Sequence, residues 1–302
     1  MKYGEFQEAV VKELQRYFGE GWEVSFVRVP KSNGKDYDGV RIMEKGERQH
    51  VARIVNLATF YTLYGMGKAD MPECIRLVCK ELEGDKVWES EALIRMAGKA
   101  SDWDSVRGKI YPVLISASRN REYLKGMVHT DLLDLSVRYI MREKLDDERD
   151  SIIGVTEAML ENYGISREEL HRKAIANLKQ DGYHFWRIED IVKETPGFEW
   201  DEIPERPEGM VRMYVLTNGK SYGAAGILHR EMVRDFAQGK DYYILPSSIH
   251  ETIFVPAEDA GSGKKMDAIV AEINEQEVAE EERLADHSYY YDAAADEIRI
   301  CV

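Results

Sequence analysis

Between Phe18 and Trp22 the hydrophobic repeat changes period, and nothing else in the chain restricts its fold as much. Upstream, Phe6, Val10, Leu14 and Tyr17 share one stripe, with Val11 and Phe18 beside it, which predicts an amphipathic helix over 5–18. Gly19 and Gly21 end it. Downstream, Trp22, Val24 and Phe26 alternate with Glu23 and Ser25, the period of a half-buried strand. The phase slips at Val27, which predicts a bulge or a strand end there. Asn33-Gly34 is a hairpin signal, Val40 and Ile42 resume the alternation, and Val51 to Val55 supply a third strand after Gly46. A helix followed by a three-stranded meander is the expected opening unit.

Two helices are expected next, 57–65 capped by Asn56 and 71–83 capped by Asp70, the second facing inward with Ile75, Val78, Cys79 and Leu82. Ile110 to Ser116, Leu132 to Met141 and Ser151 to Val155 read as strands. Thr156 and Ser166 are helix caps, and Ser166-Arg167-Glu168-Glu169 fits a capping box for a helix over 167–179. Residues 194–209 hold three of the eight prolines, mixed with Glu and Gly, as in a linker or long loop. The pattern then restarts. Strands are expected at 213–216, 222–227, 242–245, 249–255, 289–291 and 298–302, with helices over 229–236 and 264–273. The fold class is α+β, mostly antiparallel sheets with flanking helices in two packed units: residues 1–193, and a smaller acidic, Tyr-rich unit at 210–302.

The runs Met213-Tyr-Val-Leu-Thr-Asn218, Tyr222-Gly-Ala-Ala225, Tyr243-Ile-Leu-Pro-Ser-Ser-Ile-His-Glu251 and Ser288-Tyr-Tyr-Tyr-Asp292 together resemble one family. The opening Met1-Lys-Tyr-Gly-Glu-Phe6 and the stretch Val128-His-Thr-Asp-Leu-Leu-Asp-Leu135 are similar to it as well, so the resemblance covers most of the chain. The family is an uncharacterised bacterial one, from gut anaerobes, labelled as a domain of unknown function. The resemblance implies an intracellular bacterial protein with one family-wide architecture. It carries no activity, cofactor or catalytic residue.

Charge bears on partners. Asp and Glu number 56 against 41 Lys and Arg, a net charge of -15, which makes nucleic acid and anionic membrane surfaces poor partners. The acidity is concentrated: residues 241–302 contain 15 acidic and four basic side chains. No window is long and apolar enough for a transmembrane helix, and Glu5, Glu8 and Glu13 interrupt the opening where a signal peptide needs an apolar run. Cys74, Cys79 and Cys301 form neither a metal pair nor a disulfide framework, as suits a reducing cytoplasm.

Few strings suggest chemistry. Ser247, Ser248 and His250 carry hydroxyls and an imidazole, parts of a nucleophile–base set; on a strand Ser248 and His250 share a face while Glu251 points away. No Gly-x-Ser-x-Gly elbow accompanies them. Gly261-Ser262-Gly263-Lys264-Lys265 has Glu258 and Lys265 where a phosphate loop needs Gly and a hydroxyl, so it reads as a loop before a helix. The seven histidines show no metal-binding helical spacing, although His129 lies near Asp131 and Asp134, and His287 near Asp286. No metal site and no cofactor are expected. Asp131, Asp134, Asp146 and Asp147 read as caps and solvated loops. Arg119, Arg121 and Lys125, with Tyr123 and Glu122 interleaved, and His171-Arg172-Lys173 read as solvated surface.

The tyrosines are the remaining oddity, 17 against eight Phe. Tyr242, Tyr243, Tyr289, Tyr290 and Tyr291 gather in the acidic unit, and an apolar ring with a wet hydroxyl suits an interface. The expected function is therefore a non-enzymatic cytoplasmic binding or regulatory protein, with those five tyrosines as its surface and a basic protein as its partner. The alternatives are a hydrolase using Ser247 or Ser248 with His250, and an acidic mimic that occupies a partner's basic nucleic-acid-binding site.

Overall fold

The computed structural model of the chain describes residues 1–34, 36–46, 52–84, 97–144, 150–194, 211–246 and 248–301. Two compact units are present, residues 1–106 with 142–152, and residues 107–141 with 153–302.

The first unit opens with helix α1 (Tyr3–Phe18), whose Phe6, Val10 and Leu14 are fully buried. Its first turn is closed by the Lys2 backbone N–H, which donates to Glu5 Oε2 at 2.8 Å. Gly19, at φ +77°, releases the chain from the helix. Gln15 then fastens helix to strand. Its Nε2 donates to the Gly19 and Trp22 carbonyls at 2.9 and 3.0 Å, and its Oε1 accepts from the Val24 N–H at 3.1 Å. Strands β1 (Trp22–Val29), β2 (Tyr37–Glu44) and β3 (Ala52–Asn56) form an antiparallel meander. In the longer connection between the first two, Asn33 and Gly34 take φ of 57° and 68°, the left-handed region that Asn and Gly tolerate best. Helices α2 (Ala58–Gly65) and α3 (Met71–Gly84) cover the same sheet face as α1 through Phe60, Cys74, Val78 and Leu82. Asp70 caps α3 as expected, its Oδ1 accepting from the Glu73 N–H at 2.9 Å, but the cap position of α2 is Leu57, and Asn56 only leads into it through an Asx turn, its Oδ1 accepting from the Ala58 N–H at 2.9 Å. The single turn α4 (Trp103–Val106) follows.

Two expectations in this unit are corrected. The register from Trp22↔Glu44 to Val29↔Tyr37 is unbroken, so no bulge sits at Val27; Phe26 is simply 45% exposed at the outer end of the inward face. Tyr17 is 58% exposed, because its hydroxyl donates to Glu83 at 2.7 Å instead of entering the core.

The second unit holds one sheet and most of another, whose residues 142–144 and 150–152 count with the first unit. Strands β4 (Ile110–Ser116), β5 (His129–Leu132) and β6 (Leu135–Lys144) lie in the order β4-β6-β5, with β7 (Asp150–Gly154) also pairing β6. The single turn α5 (Arg121–Leu124) connects β4 to β5. Residues Leu132 to Met141 are therefore not one strand: Leu132 pairs with Leu135, and Leu133, at φ +56°, makes the turn. No glycine or asparagine announces that turn. Helix α6 (Glu157–Tyr163) is capped by Thr156, and α7 (Arg167–Leu178) by Ser166, whose Oγ accepts from the Glu169 N–H at 3.2 Å. Asn177 seats α7 on β4 by donating to the Arg107 and Ile110 carbonyls, both at 2.8 Å.

The larger sheet runs β13-β12-β10-β11-β9-β8, antiparallel throughout. Its strands are β8 (His184–Arg187), β9 (Tyr214–Thr217), β10 (Tyr242–Leu245), β11 (Thr252–Pro256), β12 (Tyr289–Asp292) and β13 (Glu297–Ile300). Helix α8 (Ile188–Glu194) follows β8. The short α10 (Ala257–Ala260) and α11 (Gly263–Gln276) cover one face, where Leu245, Val255, Met266 and Val270 are buried. Helix α9 (Arg230–Ala237) and the preceding 3-10 segment Gly223–Leu228 pack on the other, where Phe236 lies against Phe185, Tyr242 and Phe254.

The expected strand at 222–227 is that 3-10 segment. Tyr222 enters it at φ +67°, and a Cβ on Gly223 would lie 2.2 Å from the His250 carbonyl. Small residues permit this buried tight coil, a signal easily mistaken for a strand. The expected boundary at 194–209 also moves. Residues 195–210 lie outside the described residues, but β8 and β9, which flank them, pair along their length from His184↔Thr217 to Arg187↔Tyr214. The proline-rich stretch thus joins neighbours in one sheet, and residues 107–141 and 153–193 belong with the C-terminal residues.

Candidate functional site

Ser247 lies outside the described residues. Ser248 is buried, and its Oγ accepts the His250 backbone N–H at 2.9 Å, closing a local turn. His250 Nδ1 accepts from the Tyr222 N–H at 3.3 Å, and Nε2 lies 3.2 Å from Glu282 Oε1. Both ring nitrogens are engaged, so neither is free to take a hydroxyl proton. The partner carboxylate is Glu282, remote in sequence, rather than the adjacent Glu251. This constellation pins the 3-10 segment against β11 and does not form a nucleophile–base pair.

The tyrosines are likewise consumed internally. Tyr242, Tyr289 and Tyr291 are buried on one face of the sheet, and Tyr243 and Tyr290 pack edge to face on the other at 5.1 Å. Each hydroxyl of β12 meets a carboxylate: Tyr289 donates to Asp134 at 2.6 Å, Tyr290 to Asp241 at 2.7 Å and Tyr291 to Asp296 at 2.8 Å. Burial, reinforced by these carboxylates, pushes the Tyr290 and Tyr291 hydroxyls up to about 12 and Tyr289 higher still. Three of the five residues expected to form an interaction surface are core. Asp134 accepts from His287 too, at 2.9 Å, while Asp286 pairs with Arg119 at 2.5 Å. The sequence neighbours His287 and Asp286 thus serve different partners.

A cleft of about 680 Å³ lies within the second unit, beside the edge strand β5. Strand β5 contributes His129, Thr130 and Asp131, and the first turns of α7 contribute Arg167, His171 and Arg172. Arg230, at the start of α9, closes it, and Val137, Ile175, Ile227 and Ile298 supply aliphatic wall.

The imidazoles are set by their partners. His129 Nδ1 lies 2.9 Å from the Met127 carbonyl, which can only accept. Nδ1 therefore carries the proton, and Nε2 is the basic nitrogen of the neutral ring. His171 Nδ1 lies 2.9 Å from the hydroxyl of Tyr139, which meets Thr130 Oγ1 at 3.1 Å. Tyr139 is 1% exposed, so this chain runs from the core to the cleft wall. Burial pulls the His171 pKa down and keeps the ring neutral at pH 7.

The guanidiniums differ in freedom. Arg167 pairs with Glu157 at 2.7 Å, and Arg230 with Asp296 at 3.4 Å, while Arg230 Nε is buried without a hydrogen-bond partner. Arg172 is exposed and makes no ion pair among the described residues. One strand further in, Arg138, the ladder partner of His129, is 4% exposed. It lies over the rings of Tyr123 and Tyr222 at 5.3 and 5.9 Å and bonds the Tyr123 hydroxyl. Among the described residues no carboxylate pairs with it. A buried cation of this kind raises the positive potential beside β5. His171-Arg172-Lys173 and the His129–Asp131 pair were legible as charged strings; that one helix and one edge strand bring them together was not.

Among the described residues, no group of three His, Cys, Asp or Glu side chains could hold a metal ion, and no helix is long and apolar enough to cross a membrane. The fold and cleft together define an α+β protein with a partly aliphatic recess lined by three arginines in an acidic chain. The chain belongs to a family of unknown function (DUF5688), whose model matches residues 3–293. Comparison with curated proteins and with solved structures gives no match.

Proposed function

We propose that this protein binds a small acidic molecule in the cleft beside β5. One observation carries the reading: three guanidiniums, one with no ion-pair partner and another with a buried unpaired Nε, line a recess that also offers aliphatic wall. Guanidinium forks suit carboxylate and phosphate oxygens, and a recess of this size that sets polar groups beside aliphatic wall suits a small ligand. The function is still that of a binding protein, now centred on the cleft instead of the tyrosines. A cytoplasmic setting belongs to the same proposal and is supported by three free cysteines, two of them buried. Titration calorimetry against a panel of carboxylates and phosphates tests it. Arg172→Ala is expected to weaken the best binder at least about tenfold, the scale of one charged hydrogen-bond pair, with Lys173→Ala as the neutral control. Binding unaffected by Arg172→Ala removes the reading.

A second reading has its own support. Glu272, Glu275, Glu277, Glu280 and Glu281 are all exposed along the end of α11 and the turn after it, where a basic protein would dock. Capture that weakens steeply between low and physiological salt is its expected signature.

A further inference from the structure

We infer that a second recess, on the face of β5 opposite α7, binds a small zwitterion that carries a primary ammonium and a carboxylate, as an amino acid does. This recess shares no arginine with the cleft described above.

Alternation along β5 separates the two places. Thr130 Oγ1 meets the Tyr139 hydroxyl, which reaches His171 on α7. His129 and Asp131, one residue to either side, therefore turn to the opposite face. There Asp131 stands across the ladder from Ser136. Together with Ser118, Arg121 and Lys125, from the segment before β5, these three side chains line a recess of about 490 Å³, a size that suits a small molecule.

The charges of this recess are sorted. Lys125 is matched by Glu122 at 2.7 Å. Asp134, at the rim, is matched by His287 at 2.9 Å and accepts from the Tyr289 hydroxyl at 2.6 Å. Arg121 and Asp131 are left, and neither makes an ion pair among the described residues. Two opposite charges thus line one recess without reaching each other. Arg138 shares this face but is 4% exposed and does not line the recess. A simple anion would meet Asp131 and a simple cation would meet Arg121, like charge against like. A ligand with both signs and no net charge answers both, its carboxylate on the guanidinium and its ammonium on Asp131.

The surroundings of Asp131 specify the cation. His129 Nδ1 is committed to the Met127 carbonyl, so Nε2 is an acceptor. Ser136 is 1% exposed, and its hydroxyl makes no hydrogen bond to a described residue. A buried hydroxyl of that kind gains from a ligand that supplies its partner. A carboxylate, an imidazole nitrogen and a hydroxyl on one face match the three N–H donors of a primary ammonium. A quaternary ammonium offers them none.

Calorimetry of the full chain against the common amino acids is the test, followed by three analogues of the best binder. Its amide lacks the carboxylate, its N-acetyl form lacks the ammonium, and its N,N,N-trimethyl betaine keeps both charges but loses the N–H donors. Each is expected to bind at least about tenfold more weakly than the parent amino acid. Arg121→Gln should weaken the amino acid at least about tenfold while changing the amide by about twofold or less, and Asp131→Asn should do the same for the N-acetyl form. Both positions are exposed, and urea midpoints equal to the parent's verify that the variants fold. No binding of any amino acid overturns the inference, as does an amide, N-acetyl form or betaine that binds as tightly as its parent. So does amino-acid binding that neither variant weakens. Each of these outcomes leaves acid binding in the cleft, read through Arg172, standing or falling by its own test.

Discussion

At the scale of single residues, the informative positions are those whose partners leave no slack. Gly223 has no room for a side chain, since a Cβ there would meet the His250 carbonyl at 2.2 Å and Thr217 Oγ1 at 2.7 Å. The obstacle is backbone as well as side chain, so it cannot swing aside. Gly223→Ala is expected to destabilise the protein by about 2 kcal/mol or more, read as a lower urea midpoint with an unchanged slope. A midpoint within experimental error of the parent would mean that the 3-10 segment yields more easily than its packing implies. The same position explains why Ser248 and His250 looked catalytic. A hydroxyl, an imidazole and a carboxylate in a short string are what a structural knot needs as well, and only the identity of each partner separates the uses. His250 spends both nitrogens on Tyr222 and Glu282.

At the scale of elements, most helices and strands were legible because capping and period are local properties. Thr156, Ser166, Asp70 and Gly19 act where expected, and the opening meander follows from its alternation. The failures were non-local. The β5–β6 turn at Leu133 and the coil at Gly223–Leu228 are imposed by what they pack against, and no local residue choice marks them. The cleft was invisible for the same reason, since Arg172 and His129 lie on elements distant in sequence. One pair of elements also gives a pH prediction. His287 Nδ1 lies 3.2 Å from the Ser288 carbonyl and Nε2 2.9 Å from Asp134, so both nitrogens face acceptors and the ring is held as imidazolium. Burial works against that charge, but the bonds to Asp134 and Ser288, with the charges of Asp134 and Asp267, outweigh it and raise the pKa. A raised folded-state pKa adds stability that is complete below the ordinary histidine range and is lost as pH climbs through the folded value. Chemical denaturation is expected to give a stability decline above about pH 6.5 that His287→Gln flattens. A parent and variant with parallel profiles would refute that assignment.

At the scale of the whole molecule, the net charge of -15 and the basic cleft oppose each other. Bulk charge acts over the longer range and is the first to be screened, since the Debye length is about 10 Å at 0.1 M salt. For an acidic small molecule, the association rate measured by stopped flow should therefore rise with added salt, while dissociation quickens as the arginine contacts weaken. A rate that falls instead would show that the cleft's own field governs encounter. A basic protein docking on the exposed glutamates should behave in the opposite way.

The pairing of β8 with β9 has a consequence for how this chain can change. Residues 195–210 connect two strands that the sheet itself holds side by side, from His184↔Thr217 to Arg187↔Tyr214. The sheet, not the connection, fixes where those ends lie. Each doubling of such a connection costs only about 0.6 kcal/mol in closure entropy, so the ladder can hold while its length and sequence drift. It is the natural place for this lineage to acquire an insertion, and for an experimenter to open the chain and rejoin it elsewhere.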